Sequence, residues 1–191
     1  MSSPSGSSGA ISATRRARRS GRCWSRASPA LIASALAEPR VFVHRDYHSR
    51  NLLVLPERGP GILDFQDAVA GPVSYDLVSL LRDCYVVWEP EAVRRWAEAH
   101  RRRLAAEGLP VPERAEFERA FDWMGLQRHL KVLGIFCRLW YRDGKPAYLG
   151  DLPRVFAYVE AVAGRYAEFA PLLALLRRAV GERDLTVPCA P

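Results

Sequence analysis

No stretch of this sequence approaches the roughly 18 to 20 consecutive apolar residues that a membrane-spanning helix needs. The arginines near the start are not followed by the continuous apolar block of a secretory signal, so a soluble, cytosolic protein is expected. Cysteine is sparse. Cys23, Cys84, Cys137 and Cys189 stand apart without C-x-x-C spacing, which argues against a zinc site or a disulfide framework and leaves reduced thiols as the default. Lysine is scarcer still, with only Lys131 and Lys145, and the early glycines Gly6, Gly9 and Gly21 form no G-x-G-x-x-G phosphate-binding run. No internal repeat is visible.

What is present is a chain of 191 residues, 49% hydrophobic and 26% charged, sufficient for one sizeable core or at most two small domains. Its net charge of +7 suggests a nucleic-acid partner until the charge is divided along the chain. Residues 1–40 carry seven arginines (Arg15, Arg16, Arg18, Arg19, Arg22, Arg26 and Arg40) against Glu38 alone. From 41 to 191 the remaining 21 bases face 20 acids. The basic excess therefore belongs to the tail, and the globular part is nearly neutral. Residues 1–28 are mostly Ser, Gly, Ala and Arg with one aromatic, Trp24, and have no regular apolar spacing; a disordered tail is expected. An arginine-rich arm of this kind could hold nucleic acid or an acidic membrane, but with no interleaved aromatics and no motif a solvated tail is the better reading.

From Pro29 the pattern becomes globular and continues to about residue 180, followed by a short tail over 181–191. Leu31, Ile32 and Leu36 predict a short helix ending near Pro39. Three short apolar runs, Val41 to Val43, Leu52 to Leu55 and Ile62 to Phe65, read as strands around a polar loop, with Pro56, Gly59, Pro60 and Gly61 as the turn. After Gly71 and Pro72 the period turns helical, with Leu77, Leu80, Leu81, Cys84, Tyr85 and Trp88 on one face and Ser74 and Asp76 as capping candidates. Further helices are expected from Pro90 to Glu107, Glu113 to Tyr141, Leu152 to Tyr166 and Glu168 to Val180.

The chemistry concentrates in Val43-His44-Arg45-Asp46-Tyr47-His48-Ser49-Arg50-Asn51 and in Leu63-Asp64-Phe65. Phosphoryl transfer needs a carboxylate to orient and deprotonate the attacking hydroxyl, an amide oxygen on Mg²⁺, and a second carboxylate bridging metal and phosphates. Asp46, Asn51 and Asp64 suit those three roles. Asn51 follows Asp46 by five positions, so one loop between two strands can turn both side chains into a cleft. Asp64 follows thirteen positions later, room for strand, turn and strand.

The H-R-D-x-x-x-x-N loop followed by L-D-F resembles the catalytic core of the protein-kinase-like phosphotransferases, and more narrowly the aminoglycoside phosphotransferase and choline kinase family. The run H-R-D-Y-H-S-R-N-L, then I-L-D-F-Q-D-A and G-P-x-x-Y-D-L-V-S-L-L-R-D-C-Y, is similar to the amino-sugar kinases of peptidoglycan recycling. Those enzymes phosphorylate the anomeric hydroxyl of N-acetylmuramate and N-acetylglucosamine. The resemblance covers residues 29 to about 180. It implies an α+β, mainly helical kinase-like C-terminal lobe, with a small strand pair carrying the catalytic and metal loops. It also implies ATP and Mg²⁺ as cofactors and a nucleotide and a small sugar as partners, with no membrane.

By position, the resemblance makes Asp46 the catalytic base and Asn51 and Asp64 the Mg²⁺ ligands. His44 becomes a packing and hydrogen-bonding support, Arg45 a loop anchor, and Asp67 an extra polar contact in the cleft. Gln66 stands where protein kinases have glycine. His48 reads better as a hydrogen-bonded structural histidine than as a ligand, and Asp76 better as a cap and loop brace than as a substrate group. His129 and the tryptophans Trp96, Trp123 and Trp140 lie on helical spacing and read as core, a sugar-stacking tryptophan being the lesser alternative. A complete kinase of this type has a β-rich N-terminal lobe whose Gly-rich loop and lysine hold the nucleotide. Neither is found ahead of the loop, so the chain is expected to be the C-terminal lobe alone, and a separate N-lobe polypeptide is one partner by which such a fold could be reconstituted. The competing class is a non-catalytic remnant or binding module of the same fold.

Overall fold

The computed structural model describes residues 24, 25, 27–57 and 59–187. The arginine tail up to residue 23 and Arg26 lie outside these, as do Cys23 and Cys189. The first described helix, α1 (27–37), takes in residues 27 and 28, and Ala27 and Leu31 are buried against Trp123, Leu126 and Phe169. Packed structure thus begins before Pro29.

Four strands follow, in two separate antiparallel pairs: β1 (Arg40–Val43) with β4 (Val69–Pro72), and β2 (Leu52–Leu53) with β3 (Gly61–Ile62). The sequence patterns predict three strands and miss β4, because Gly71 and Pro72 read as a turn. In the fold Gly71 faces a close neighbour. A Cβ there would come within 3.2 Å of the buried Val43 Cγ2. Pro72 sits at the end of the ribbon opposite Arg40, where its missing N–H breaks no central ladder. The Ile62–Phe65 run, conversely, leaves the sheet after Ile62, because Asp64 takes a left-handed backbone (φ +67°) that an extended strand cannot contain.

The remainder is helical: α2 (Tyr75–Leu81), α3 (Pro90–Ala106), α4 (Arg114–Tyr141), α5 (Leu152–Ala163) and α6 (Ala170–Val180). Helix α2 stops earlier than its apolar periodicity predicts, since Arg82 leaves helical backbone and the Asp83 carboxylate turns back to accept the Tyr85 N–H at 2.8 Å. The Ser74 hydroxyl makes no capping bond. At the start of α3, Pro90 occupies the first turn and the Glu89 carboxylate accepts from Ala92 N–H at 2.8 Å, the arrangement that satisfies an orphan donor.

Helix α4 is the centre of the molecule. Ala120 to Leu126 are all buried, which happens only when neighbours surround a helix on every side. Helices α1, α5 and α6 cover one flank through Trp123, Val159, Val162 and Leu172; α2 and α3 cover another through Val78, Ala97 and Phe121. Its C-terminal half packs Phe136 on Leu149, Leu152 and Val155. His129 is core, as its spacing predicts, stacked on Tyr158 at 4.7 Å. Trp123 is core as well. Trp96 is not: it is 44% exposed and meets Trp88 edge-on, because α3 packs through its alanines instead.

Candidate active site

The loop that leaves β1 is held by its backbone. His44 N–H donates to Asp76 Oδ2 at 2.6 Å and Arg45 N–H to Asp76 Oδ1 at 3.0 Å, so one carboxylate in the first turn of α2 receives two consecutive amides. Arg45 is thereby fixed in a left-handed conformation (φ +77°), a costly choice for a residue with a side chain that surrounding bonds must hold in place. Further along the loop, Ser49 N–H donates to Asp83 Oδ2 at 2.8 Å. Asp83 is 2% exposed. The two carboxylates, one opening α2 and one just beyond its end, therefore clamp both sides of the segment that presents Asp46.

A third support comes from α4. Arg128 donates through Nη1 to the Arg45 carbonyl (3.1 Å) and through Nη2 to Ser79 Oγ (2.6 Å), with its guanidinium 4.5 Å from the Tyr75 ring centre. Sequence reasoning identifies Asp76 as a brace but misses Asp83, Ser79 and Arg128. Asp83 lies in the D-L-V-S-L-L-R-D-C-Y stretch and was open to notice; Arg128 lies far along the chain in a long helix and carries no local signal.

Within the loop, the Asp46 carbonyl accepts both the His48 N–H (3.0 Å) and the Asn51 side-chain Nδ2 (2.9 Å). That bond commits the nitrogen of the Asn51 amide and leaves its oxygen as the acceptor. The segment carrying Asp64 is joined to the same loop twice: Leu63 N–H donates to the Asn51 carbonyl (2.9 Å) and Arg45 Nη1 to the Asp67 carbonyl (3.2 Å). Asp64 is exposed, and one of its oxygens accepts from Gln66 Nε2 at 2.6 Å. Arg45 is thus an anchor between two loops, and Asp67 takes part through its backbone.

The histidines differ from the hydrogen-bonding roles given to them. His44 is buried, but neither ring nitrogen has a hydrogen-bond partner among the described residues; it contributes its backbone N–H and an edge contact with Tyr47 at 5.9 Å. The His48 ring packs edge-on against Tyr85 at 5.4 Å and its Nδ1 is unpartnered. Tyr85 also carries the Arg50 guanidinium 3.6 Å above its ring centre, and burial raises its phenol well above the ordinary tyrosine range. The adjacent Cys84 thiol is pushed up to about 11, chiefly by burial, and the side chain packs against the cluster around Phe136 and Leu152.

The available donors suit one kind of ion. Among the described residues no three His, Cys, Asp or Glu side chains gather to hold a metal, so a zinc-type centre is not built. Asn51 and Asp64 offer oxygen donors only, the donor type that Mg²⁺ accepts when water and phosphate oxygens complete its octahedron.

Asp46 and Asn51 thus lie on one clamped loop, and Asp64 lies on a segment bonded to that loop. The sequence profile of the phosphotransferase enzyme family (APH) matches residues 10–117, more than half of the chain, and the chain belongs to that family. It is 53% identical over 163 residues to an N-acetylmuramate/N-acetylglucosamine kinase of Neisseria meningitidis serogroup B, a match covering 85% of this chain and 48% of the other. A kinase of the same name from Pseudomonas putida is 53% identical over 150 residues (78% and 44%), and one from Pseudomonas aeruginosa 51% over 154 (80% and 45%). The chain spans about half the length of these curated relatives.

Proposed function

We propose that the chain supplies the catalytic-loop lobe of a small-molecule kinase that transfers the γ-phosphoryl group of ATP to an amino-sugar hydroxyl, with N-acetylmuramate and N-acetylglucosamine as acceptors at the anomeric position. The observation that carries the reading is the bonded pair of loops: Asn51 holds the Asp46 carbonyl through its amide and Leu63, next to Asp64, through its own carbonyl. The names of the relatives supply the acceptor class.

In this reading Asp46 accepts the proton of the attacking hydroxyl and aligns its oxygen with the phosphorus. Asn51 Oδ1 and the Asp64 carboxylate hold Mg²⁺, which when bound neutralises charge building on the phosphoryl oxygens. Asp76, Asp83 and Arg128 keep the loop in place, so little reorganisation is needed when substrate arrives.

Covering the nucleotide falls to a second lobe. The strand region of the chain leaves Phe42 (73% exposed), Val54 (98%) and Phe65 (63%) open, together with Leu53, Ile62, Leu63 and Val69, apolar side chains of the kind a β-rich partner covers. A β-rich N-lobe is the proposed occupant. The test is ADP release with an amino-sugar panel, measured for the chain alone and with the N-terminal half of the Neisseria relative added. Mg²⁺-dependent turnover that needs the added half supports the proposal; no turnover with any amino sugar in the completed pair overturns it.

A further inference from the structure

The relatives' shared name joins two sugars that differ in charge: N-acetylmuramate carries a lactyl carboxylate, whereas N-acetylglucosamine is neutral. A cation that meets the carboxylate without being needed for the common sugar body would let one site take both and still tell them apart. The cations around the loop can be taken in turn. Arg45 is committed to the Asp67 carbonyl, Arg128 to the Arg45 carbonyl and Ser79, and Arg154 to the Cys84 carbonyl (2.7 Å) and Asp151. Arg50 is different. It sits between Asp46 and Asn51, its side chain is exposed, and its guanidinium makes no ion pair or hydrogen bond among the described residues.

Arg50 is nonetheless placed. Its guanidinium lies 3.6 Å over the Tyr85 ring, whose backbone N–H is fixed by Asp83 at 2.8 Å; the same Asp83 accepts the Ser49 N–H next to Arg50. Stacking uses the face of the guanidinium and leaves its N–H edge free, and that planar edge is the group that pairs a carboxylate with two parallel hydrogen bonds. Both Asp83 oxygens accept backbone amides, so the nearby acid does not compete for it.

We propose that Arg50, seated on Tyr85, is the residue that recognises the lactyl carboxylate of N-acetylmuramate and sets preference between the acidic and the neutral sugar. This rests on the amino-sugar reading above. The experiment is equilibrium binding of the 191-residue chain, without nucleotide, to N-acetylmuramate, N-acetylmuramate methyl ester and N-acetylglucosamine by calorimetry. Omitting nucleotide separates carboxylate recognition from any contact of Arg50 with phosphate. Wild type should bind the acid about tenfold more tightly than the ester or the neutral sugar, the scale of one charge-assisted contact. Arg50→Gln should abolish that difference and leave the neutral sugar within about twofold, and Arg50→Lys should restore it in part. Equal loss for all three ligands, or an unchanged preference for the acid in Arg50→Gln, overturns the assignment. Wild type binding none of the three places acceptor recognition outside this chain and overturns the assignment to Arg50, while the amino-sugar reading stands or falls by turnover in the completed pair.

Discussion

The guanidinium of Arg128 donates to the main-chain carbonyl of Arg45 across 83 positions of sequence, and the residue it secures is the one immediately before Asp46. Arg45 stands in left-handed backbone with its N–H on Asp76 and its side chain on the Asp67 carbonyl. The loop's geometry is therefore imposed from outside it, by α2 and α4, and the consequences of loosening those supports can be stated.

Replacing Asp76 with Ala removes the acceptor of two consecutive amides, in a position where a left-handed residue depends on them. A loss of about 2 to 3 kcal/mol is expected, the cost of leaving part-buried donors unpaired. Urea unfolding should show a lower midpoint with an unchanged slope. A midpoint equal to wild type would mean that water satisfies these amides and that Asp76 is not the brace.

His129 makes stability depend on pH. Its ring nitrogen Nε2 lies 3.0 Å from the Arg82 carbonyl, so it carries the hydrogen, and burial pushes its pKa down to about 4 from the ordinary 6.5. Because the folded value is depressed, the unfolded chain binds a proton that the folded chain refuses. This contribution is constant above about pH 7, falls as pH drops from 6.5 to about 4, and flattens below; its total is on the order of a few kcal/mol. Unfolding free energies for wild type and His129→Gln should differ in slope across that window, wild type losing more. Parallel curves would remove His129 as the cause.

Asp122 is buried and serves Arg82, Arg165 (3.1 Å) and the Tyr166 hydroxyl (2.8 Å). Asp122→Ala would leave the Arg82 guanidinium buried without its carboxylate and should cost about 3 to 5 kcal/mol; joining it to Arg82→Met should recover most of that loss, since an apolar pair needs no compensation. A double variant as unstable as Asp122→Ala alone would show that the pair does not act as a unit.

Much of this was legible because helical periodicity and punctuation survive into the fold: α3 to α6 lie within a few residues of the expected bounds, and the breaks fall at Gly108 and Gly144, both left-handed. The H-R-D-x-x-x-x-N loop was legible because its spacing is local. The hidden features are those decided by distant neighbours. Gly71 reads as a turn until Val43 is known to press on it; Asp64 reads as strand until its backbone is seen; the braces Asp83 and Arg128 become visible only when α2 and α4 are packed beside the loop.

The central claim is that Asp46 is the base of a phosphoryl-transfer site. Its most direct test is the rate of Mg²⁺-dependent phosphorylation of N-acetylglucosamine by the chain completed with the N-terminal half of the Neisseria relative, comparing wild type with Asp46→Asn. The exchange keeps the shape of the side chain and leaves the carbonyl that Asn51 holds. The account predicts measurable turnover for wild type and a fall of about 10²- to 10⁴-fold for the variant, the scale of a positioned general base. A variant that turns over at the wild-type rate would contradict it.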